Sequence, residues 1–109
     1  MMKKYLGEFE ELVLLTVSML GDDAYGVAIK EALQEKANRT ITIGSLHSTI
    51  ARLEEKGLLE SWLGEATAVR GGRKKRYFKL TADAVQVLQH IKSLRDDLWS
   101  LSNLGTEPI

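Results

Sequence analysis

Apolar residues recur along this chain with two periods, and the switches between them divide it into elements. From Glu8 to Leu20, Phe9, Leu12, Val13, Leu15 and Leu20 lie at helical spacing behind an acidic first turn, which predicts a helix stopped by Gly21. "GDDAYGVAIKEALQEKA" predicts a second helix, N-capped by Asp22 or Asp23, with Val27, Ile29, Ala32 and Leu33 as its apolar face. Gly26 falls inside that helix, unfavourable by roughly 1 kcal/mol relative to alanine, and close packing against a neighbour would explain it. "NRTITIG" then breaks the helical period with β-branched and turn residues. A third helix follows in "SLHSTIARLEEKG", where Leu46, Ile50 and Leu53 form one stripe at i, i+4, i+7. Ser45 is either its N-cap or in its first turn, and Gly57 stands where a left-handed residue closes a helix.

The period then shortens to two. "LLESWL" (58–63) and "RYFKL" (76–80) read as strands, joined by the turn-rich "GEATAVRGG" into a hairpin with a long tip. Tyr77 and Phe78 point to opposite faces, so one of them belongs to the core, and Trp62 packs in the core or along the strand. Thr81 is a good N-cap for a last helix running to Gly105, with Asp83 in its first turn. Val87, Ile91, Leu94, Leu98 and Leu101 are spaced 4, 3, 4, 3, a heptad seam about two repeats long. "TEPI" is expected to be a frayed tail.

Three helices, a two-stranded hairpin and a longer helix predict a mainly α fold with a two-stranded β-wing: a winged helix-turn-helix plus a C-terminal dimerisation helix. The expected boundaries are 1–81 for the winged helix-turn-helix domain, 82–104 for the dimerisation helix and 105–109 for a flexible tail. With Leu46, Ile50 and Leu53 facing inward, the outer face of the third helix carries Ser48, Ala51, Arg52 and Glu55, flanked by Ser45 and His47. Its start is short-chained, which suits a helix that approaches the floor of a major groove. Arg can read guanine there, and Ser can contact phosphate or base.

Charge sharpens this reading. The chain is neutral, with fifteen Lys+Arg against fifteen Asp+Glu. Residues 1–69 carry seven bases and eleven acids, residues 80–109 two bases and four acids. Between them Arg70, Arg73, Lys74, Lys75, Arg76 and Lys79 meet no acid at all. A nucleic-acid binder is recognised by where its positive charge lies more than by its total. A basic hairpin tip releases counterions from a phosphate backbone, and Gly71 and Gly72 would let it follow that backbone or enter a minor groove. There is no cysteine, no apolar run of transmembrane length and no secretory leader pattern, so the expected location is the cytoplasm.

At this point the chain resembles the PadR family of bacterial transcriptional regulators. The matching stretches are "LGEFEELVLL", "DDAYGVAI", "SLHSTIARLEEKGLLES" and "RGGRKKRYFKLT", in that order, over about residues 6–81. The resemblance implies a winged-helix homodimer, usually a repressor, that binds a palindromic operator in double-stranded DNA and is released by a small aromatic molecule. It also implies DNA contacts from the 45–52 helix and from Arg70 to Arg76, and pairing of two subunits through the C-terminal helix. The family commonly has tyrosine where this chain has His47. The single C-terminal helix resembles the short branch of the family.

Each signal has a duller reading. A basic run can be a solvated hairpin tip, and a winged helix can serve as a protein–protein interaction module without DNA binding. Tyr25 is either a core residue or a hydroxyl offered to a phosphate. Trp99, beside seam residue Leu98, is either dimer packing or a flat surface for a ligand. His90 is helix surface or dimer contact. His47 and His90 are the only histidines and stand apart, so no metal site is expected, and no cofactor is implied. No phosphate-loop motif occurs, Ser45 and His47 diverge on their helix, and in "GEFEE" Glu8 and Glu10 do not share a helix face and no partner acid is marked elsewhere, so no enzyme is expected.

Overall fold

The computed structural model of the chain describes residues 6–64 and 74–104. Its elements are α1 (Glu8–Leu20), a single 3-10 turn (Gly21–Asp23), α2 (Gly26–Ala37), α3 (Ile43–Glu55), β1 (Leu59–Leu63), β2 (Arg76–Leu80) and α4 (Ala82–Leu101). The fold is mainly helical, with one two-stranded antiparallel sheet.

One core joins α1, α2, α3 and the base of the hairpin. Val13, Leu14 and Val17 of α1, Ile29 and Leu33 of α2, and Leu46, Ile50 and Leu53 of α3 are buried together with Leu58, Leu59, Phe78 and Ala84. The α3 stripe faces inward as its spacing predicts. On α1 the inward stripe is Val13, Leu14 and Val17, whereas Leu15 is exposed. On α2 only Ile29 and Leu33 are fully buried, and Val27 is exposed. Each helix offers a wider apolar arc than the three-helix core can cover.

The cap of α2 departs from expectation, and that of α3 settles between the two expected places of Ser45. Neither Asp22 nor Asp23 caps α2; both lie in the 3-10 turn, and the N-cap is Tyr25 in extended conformation. The cause is non-local. Ala24 accepts a hydrogen bond from the Phe78 N–H at 2.9 Å, and Tyr25 makes an isolated antiparallel bridge to Tyr77, so residues 24 and 25 are held against β2 before the helix starts. Gly26 is therefore the first helical residue rather than an interior one, and it packs under His47 and Ile43. On α3 the N-cap is Thr42, whose Oγ1 accepts from the Ser45 N–H at 3.0 Å, and Ser45 lies in the first turn.

The end of α3 follows the sequence closely. Gly57 has φ 74°, its N–H donates to the Glu54 carbonyl, and the Leu58 N–H donates to the Leu53 carbonyl. This pair of bonds is the Schellman arrangement that a left-handed glycine permits. The chain then enters β1, paired with β2 in the register Leu59–Leu80, Ser61–Phe78, Trp62–Tyr77 and Leu63–Arg76. Phe78 is the core residue of the strand; Tyr77 lies on the other face, stacked on Trp62 at 5.9 Å between ring centres. Trp62 is thus strand packing, not core. At Gly64 a Cβ would collide with the Tyr77 ring, so the hairpin closes on that ring only with glycine.

Thr81 caps α4, its Oγ1 accepting from the Ala84 N–H at 3.2 Å. The helix ends at Leu101, before Gly105, because Ser102 closes it: the Ser102 N–H donates to the Leu98 and Trp99 carbonyls and its Oγ to Trp99. Gly105 and the expected tail lie outside the described residues. Only Ala84 of α4 is fully buried; Val87 and Leu88 pack against the core, and the helix beyond them projects from the body. The radius of gyration, 16.4 Å, exceeds the roughly 13 Å of a compact chain of this length, in line with that projection.

Candidate nucleic-acid interface

The outer face of α3 is polar and exposed. Ser45, His47, Ser48, Ala51, Arg52 and Glu55 are all accessible, as the helical wheel requires once Leu46, Thr49, Ile50 and Leu53 turn inward. Around this face His47 and Ala51 lie on one flank and Ser45 and Arg52 on the other, with Ser48 and Glu55 between.

The flank of His47 borders a groove of about 550 Å³. Its walls are the start of α2 (Tyr25, Gly26, Val27), α3 (Ile43, His47, Ile50, Glu54) and the base of the wing (Lys75, Arg76, Phe78). The structure thus brings together Tyr25, His47, Lys75 and Arg76 from three elements. Ser45, Ser48 and Arg52 lie on α3 outside the groove, and Lys74 is exposed beside it. Arg70 and Arg73 lie outside the described residues.

Three of the expected contact cations are held in place by neighbours. The Lys75 ammonium sits 4.0 Å from the centre of the Tyr25 ring, a cation–π contact. Tyr25 in turn meets Tyr77 edge-on at 5.7 Å, and Tyr77 stacks on Trp62, with the Lys79 ammonium 5.9 Å from the Trp62 ring centre. Tyr25 is half-buried, so it combines packing with an accessible edge. Arg76 donates to Ser61 Oγ at 3.0 Å, and Ser61 donates to Glu54 of α3 at 3.0 Å. This relay joins the wing base to α3. Arg52 places its Nε 3.6 Å from Glu10 of α1 and donates from NH2 to Thr49 Oγ1 at 3.3 Å.

Glu10 is the one buried carboxylate of the described core. Its oxygens accept from the Gly7 N–H at 2.8 Å and from Lys56 at 2.9 and 3.0 Å. Burial alone would raise its pKa, but the Gly7 N–H, Lys56 and Arg52 together overcome that and hold the carboxyl below its ordinary value. The three acids of "GEFEE" pair with bases far along the chain: Glu8 with Arg39, Glu10 with Lys56 and Arg52 of α3, and Glu11 with Arg95 of α4 at 2.9 Å. No local pattern discloses these separations. Glu10, Glu54 and Ser61 are the residues sequence reasoning missed, because their importance lies in what they touch.

A second concavity, about 580 Å³, lies between α1, the end of β2 and α4. Leu15, Leu80, Val85 and Leu88 form its apolar floor, Trp99 one wall, and the Glu11–Arg95 and Lys92–Asp96 ion pairs its rim. Trp99 is 55 % exposed. Of the seam, Leu94, Leu98 and Leu101 are exposed, while Val87 and Ile91 are half-covered. His90 is on the helix surface. Among the described residues no His, Asp or Glu cluster could hold a metal ion, and no helix is long and apolar enough to cross a membrane.

A three-helix core, an isolated β-bridge at residue 25, a polar third helix and a flanking basic hairpin define a winged helix-turn-helix regulator. The comparisons with known proteins carry this to a family: the model of the transcriptional regulator PadR-like family matches residues 14–101, and the chain belongs to that family. Solved structures agree. A PadR-like transcription factor from Bacteroides fragilis is 25 % identical over 90 % of this chain and 89 % of its own, with a TM-score of 0.71. A PadR-family regulator from Eggerthella lenta is 27 % identical, covering 89 % and 88 %, with a TM-score of 0.62. A PadR-like regulator from Bacillus cereus shares the fold at 22 % identity, 92 % and 93 % coverage and a TM-score of 0.70. No curated protein matches the sequence. The relatives are transcriptional regulators rather than enzymes, and regulators of this type bind DNA.

Proposed function

We propose that this chain is a homodimeric, sequence-specific repressor that binds a palindromic operator and is released by a small aromatic effector. In this reading α3 enters the major groove, with Ser45, His47, Ser48 and Arg52 at bases or phosphates. Lys74, Lys75 and Arg76 at the wing base, with Arg70 and Arg73, neutralise the flanking backbone, and Tyr25 offers its hydroxyl to a phosphate. The domains divide near Thr81. The observation that carries the reading is the groove in which His47 of α3 faces Lys75 and Arg76 of the wing across Tyr25. One continuous surface then presents a base-reading helix and phosphate-binding cations.

Dimerisation is supported by the exposed apolar side of α4. Leu94, Leu98 and Leu101 are 51 %, 58 % and 82 % exposed, and Leu15 and Met19 of α1 add to the same unmet demand for cover. A second copy paired along the seam would bury them. A palindromic operator requires two α3 helices about one DNA turn apart, roughly 34 Å. Trp99 and the apolar floor beside it suit a flat aromatic ligand in the cleft between α1 and α4. The direct test is a gel-shift titration on the DNA upstream of the chain's own gene, with and without a panel of planar aromatic compounds. Retarded DNA that the compounds release, with a matching change in tryptophan fluorescence that Trp99→Phe abolishes and Trp62→Phe retains, is the expected result. Absence of any shift at low salt overturns the reading.

A further inference from the structure

We infer that Glu10 is a positioning residue for DNA recognition: it orients Arg52 so that the guanidinium reads a base instead of sweeping along phosphates. This rests on the reading that α3 faces the bases.

Arg52 is the only arginine on α3, and its side chain is 56 % exposed. A free arginine there would sample many rotamers, and ordering it on DNA would cost up to about 2 kcal/mol of side-chain entropy. Two contacts remove much of that freedom beforehand. Glu10 faces Nε at 3.6 Å, and Thr49 Oγ1 accepts from NH2 at 3.3 Å. Thr49 is itself fixed, because its hydroxyl donates to the Ser45 carbonyl at 3.1 Å. Neither contact uses NH1, so the end of the fork stays available to the paired acceptors of a guanine edge.

Glu10 is suited to this role because it is rigid. Its side chain is 9 % exposed, the Gly7 N–H and Lys56 hold its oxygens, and it sits on a helix whose neighbouring turns are core. Lys56 supplies the charge balance that keeps the carboxylate ionised beside α3. The carboxylate also works against indiscriminate phosphate binding, since it lowers the local positive potential around Arg52. An arginine anchored at Nε by a buried carboxylate is arranged for selectivity more than for raw affinity.

The test is a double-mutant cycle read as a specificity ratio. The probes are a duplex selected by the wild-type full-length chain from a random-sequence library and a shuffled duplex of the same composition. Arg52→Ala should lower the ratio of the two affinities by roughly tenfold, the loss expected for one base contact. Glu10→Gln should lower it several-fold, while leaving affinity for the shuffled duplex unchanged or higher. In the Arg52→Ala background, Glu10→Gln should change the ratio no further. Thr81→Ala serves as the stability control: it removes the cap that ties α4 to the end of α3 without touching Glu10 or Arg52, so its ratio should stay near wild type. If Glu10→Gln lowers the ratio equally with and without Arg52, or if Thr81→Ala lowers it as much, Glu10 acts through the fold and the inference fails. If Arg52→Ala leaves the ratio unchanged, the placement of α3 at the bases fails first. If Arg52→Ala lowers it and Glu10→Gln does not, the positioning role alone fails.

Discussion

Thr81 joins two elements through one hydroxyl. Its Oγ1 accepts from the Ala84 N–H and donates to the Gly57 carbonyl at 2.7 Å, while its N–H donates to the Leu58 carbonyl. The start of α4 is thereby tied to the end of α3. Thr81→Ala should destabilise the chain by about 1–2 kcal/mol, the usual cost of a lost cap with a lost partner, whereas Thr81→Ser should retain most of it. Urea denaturation measures both. Glu10 governs a pH effect whose sign follows from its lowered pKa. A carboxylate with a folded pKa below its unfolded value stabilises the fold above the ordinary value of 4.5, and that contribution disappears as pH falls through the folded value. Glu10→Gln should therefore be less stable than wild type at neutral pH, and the gap should narrow on acidification below that ordinary value. Thermal melts across that range read it, and a gap constant with pH would contradict it.

At the scale of elements, the stripe of α3 was legible because a helix repeats its inward positions locally, whereas of the α4 heptad only Val87 packs against the core. The hairpin was legible from alternation and its glycines, and Gly57 from the helix it closes. What escaped was set by pairing between distant residues. Asp22 and Asp23 are good capping residues, but the bond from Phe78 to Ala24 extends the backbone there and moves the cap to Tyr25. Leu15 and Val27 belong to the apolar content of their helices, but at about 100° per residue they lie far from the buried stripes of Val13 and Val17 and of Ile29, and both are exposed. Local periodicity gives the direction of a face, not its covered width. The exposure of α4 bears on the seam in the same way. Leu94→Asp or Leu98→Asp should yield monomers in sedimentation or light scattering, since pairing would bury an uncompensated charge. A dimer that persists in both variants contradicts pairing along this side of α4.

For the molecule as a whole, the segregation of charge was visible in the sequence, but its organisation was not. Composition placed the bases in the wing; only the fold shows that Lys75 rests on Tyr25, that Arg76 reaches Glu54 through Ser61, and that Arg52 faces Glu10. The Arg76 and Arg52 contacts link the wing and α1 to α3, and the Lys75 contact links the wing to the start of α2. They reduce the ordering cost on binding, which favours selective over merely electrostatic association. The acidic first turn of α1 also links the two ends of the molecule. Glu11 pairs with Arg95 on the rim of the α1–α4 cleft, one residue from Glu10 at α3. The candidate DNA residues were thus largely nameable from the sequence, whereas the groups that hold them were not.

The most direct measurement is the salt dependence of DNA binding by the wild-type chain and by a Lys74→Ala, Lys75→Ala, Arg76→Ala variant. Fluorescence anisotropy on the selected and shuffled duplexes supplies both affinity and specificity. The account predicts tight, sequence-selective binding whose log affinity falls linearly with log salt. It also predicts a slope shallower in the variant by about 1 for each phosphate contact removed. Undetectable binding at low salt, or a variant with wild-type affinity and slope, would contradict it.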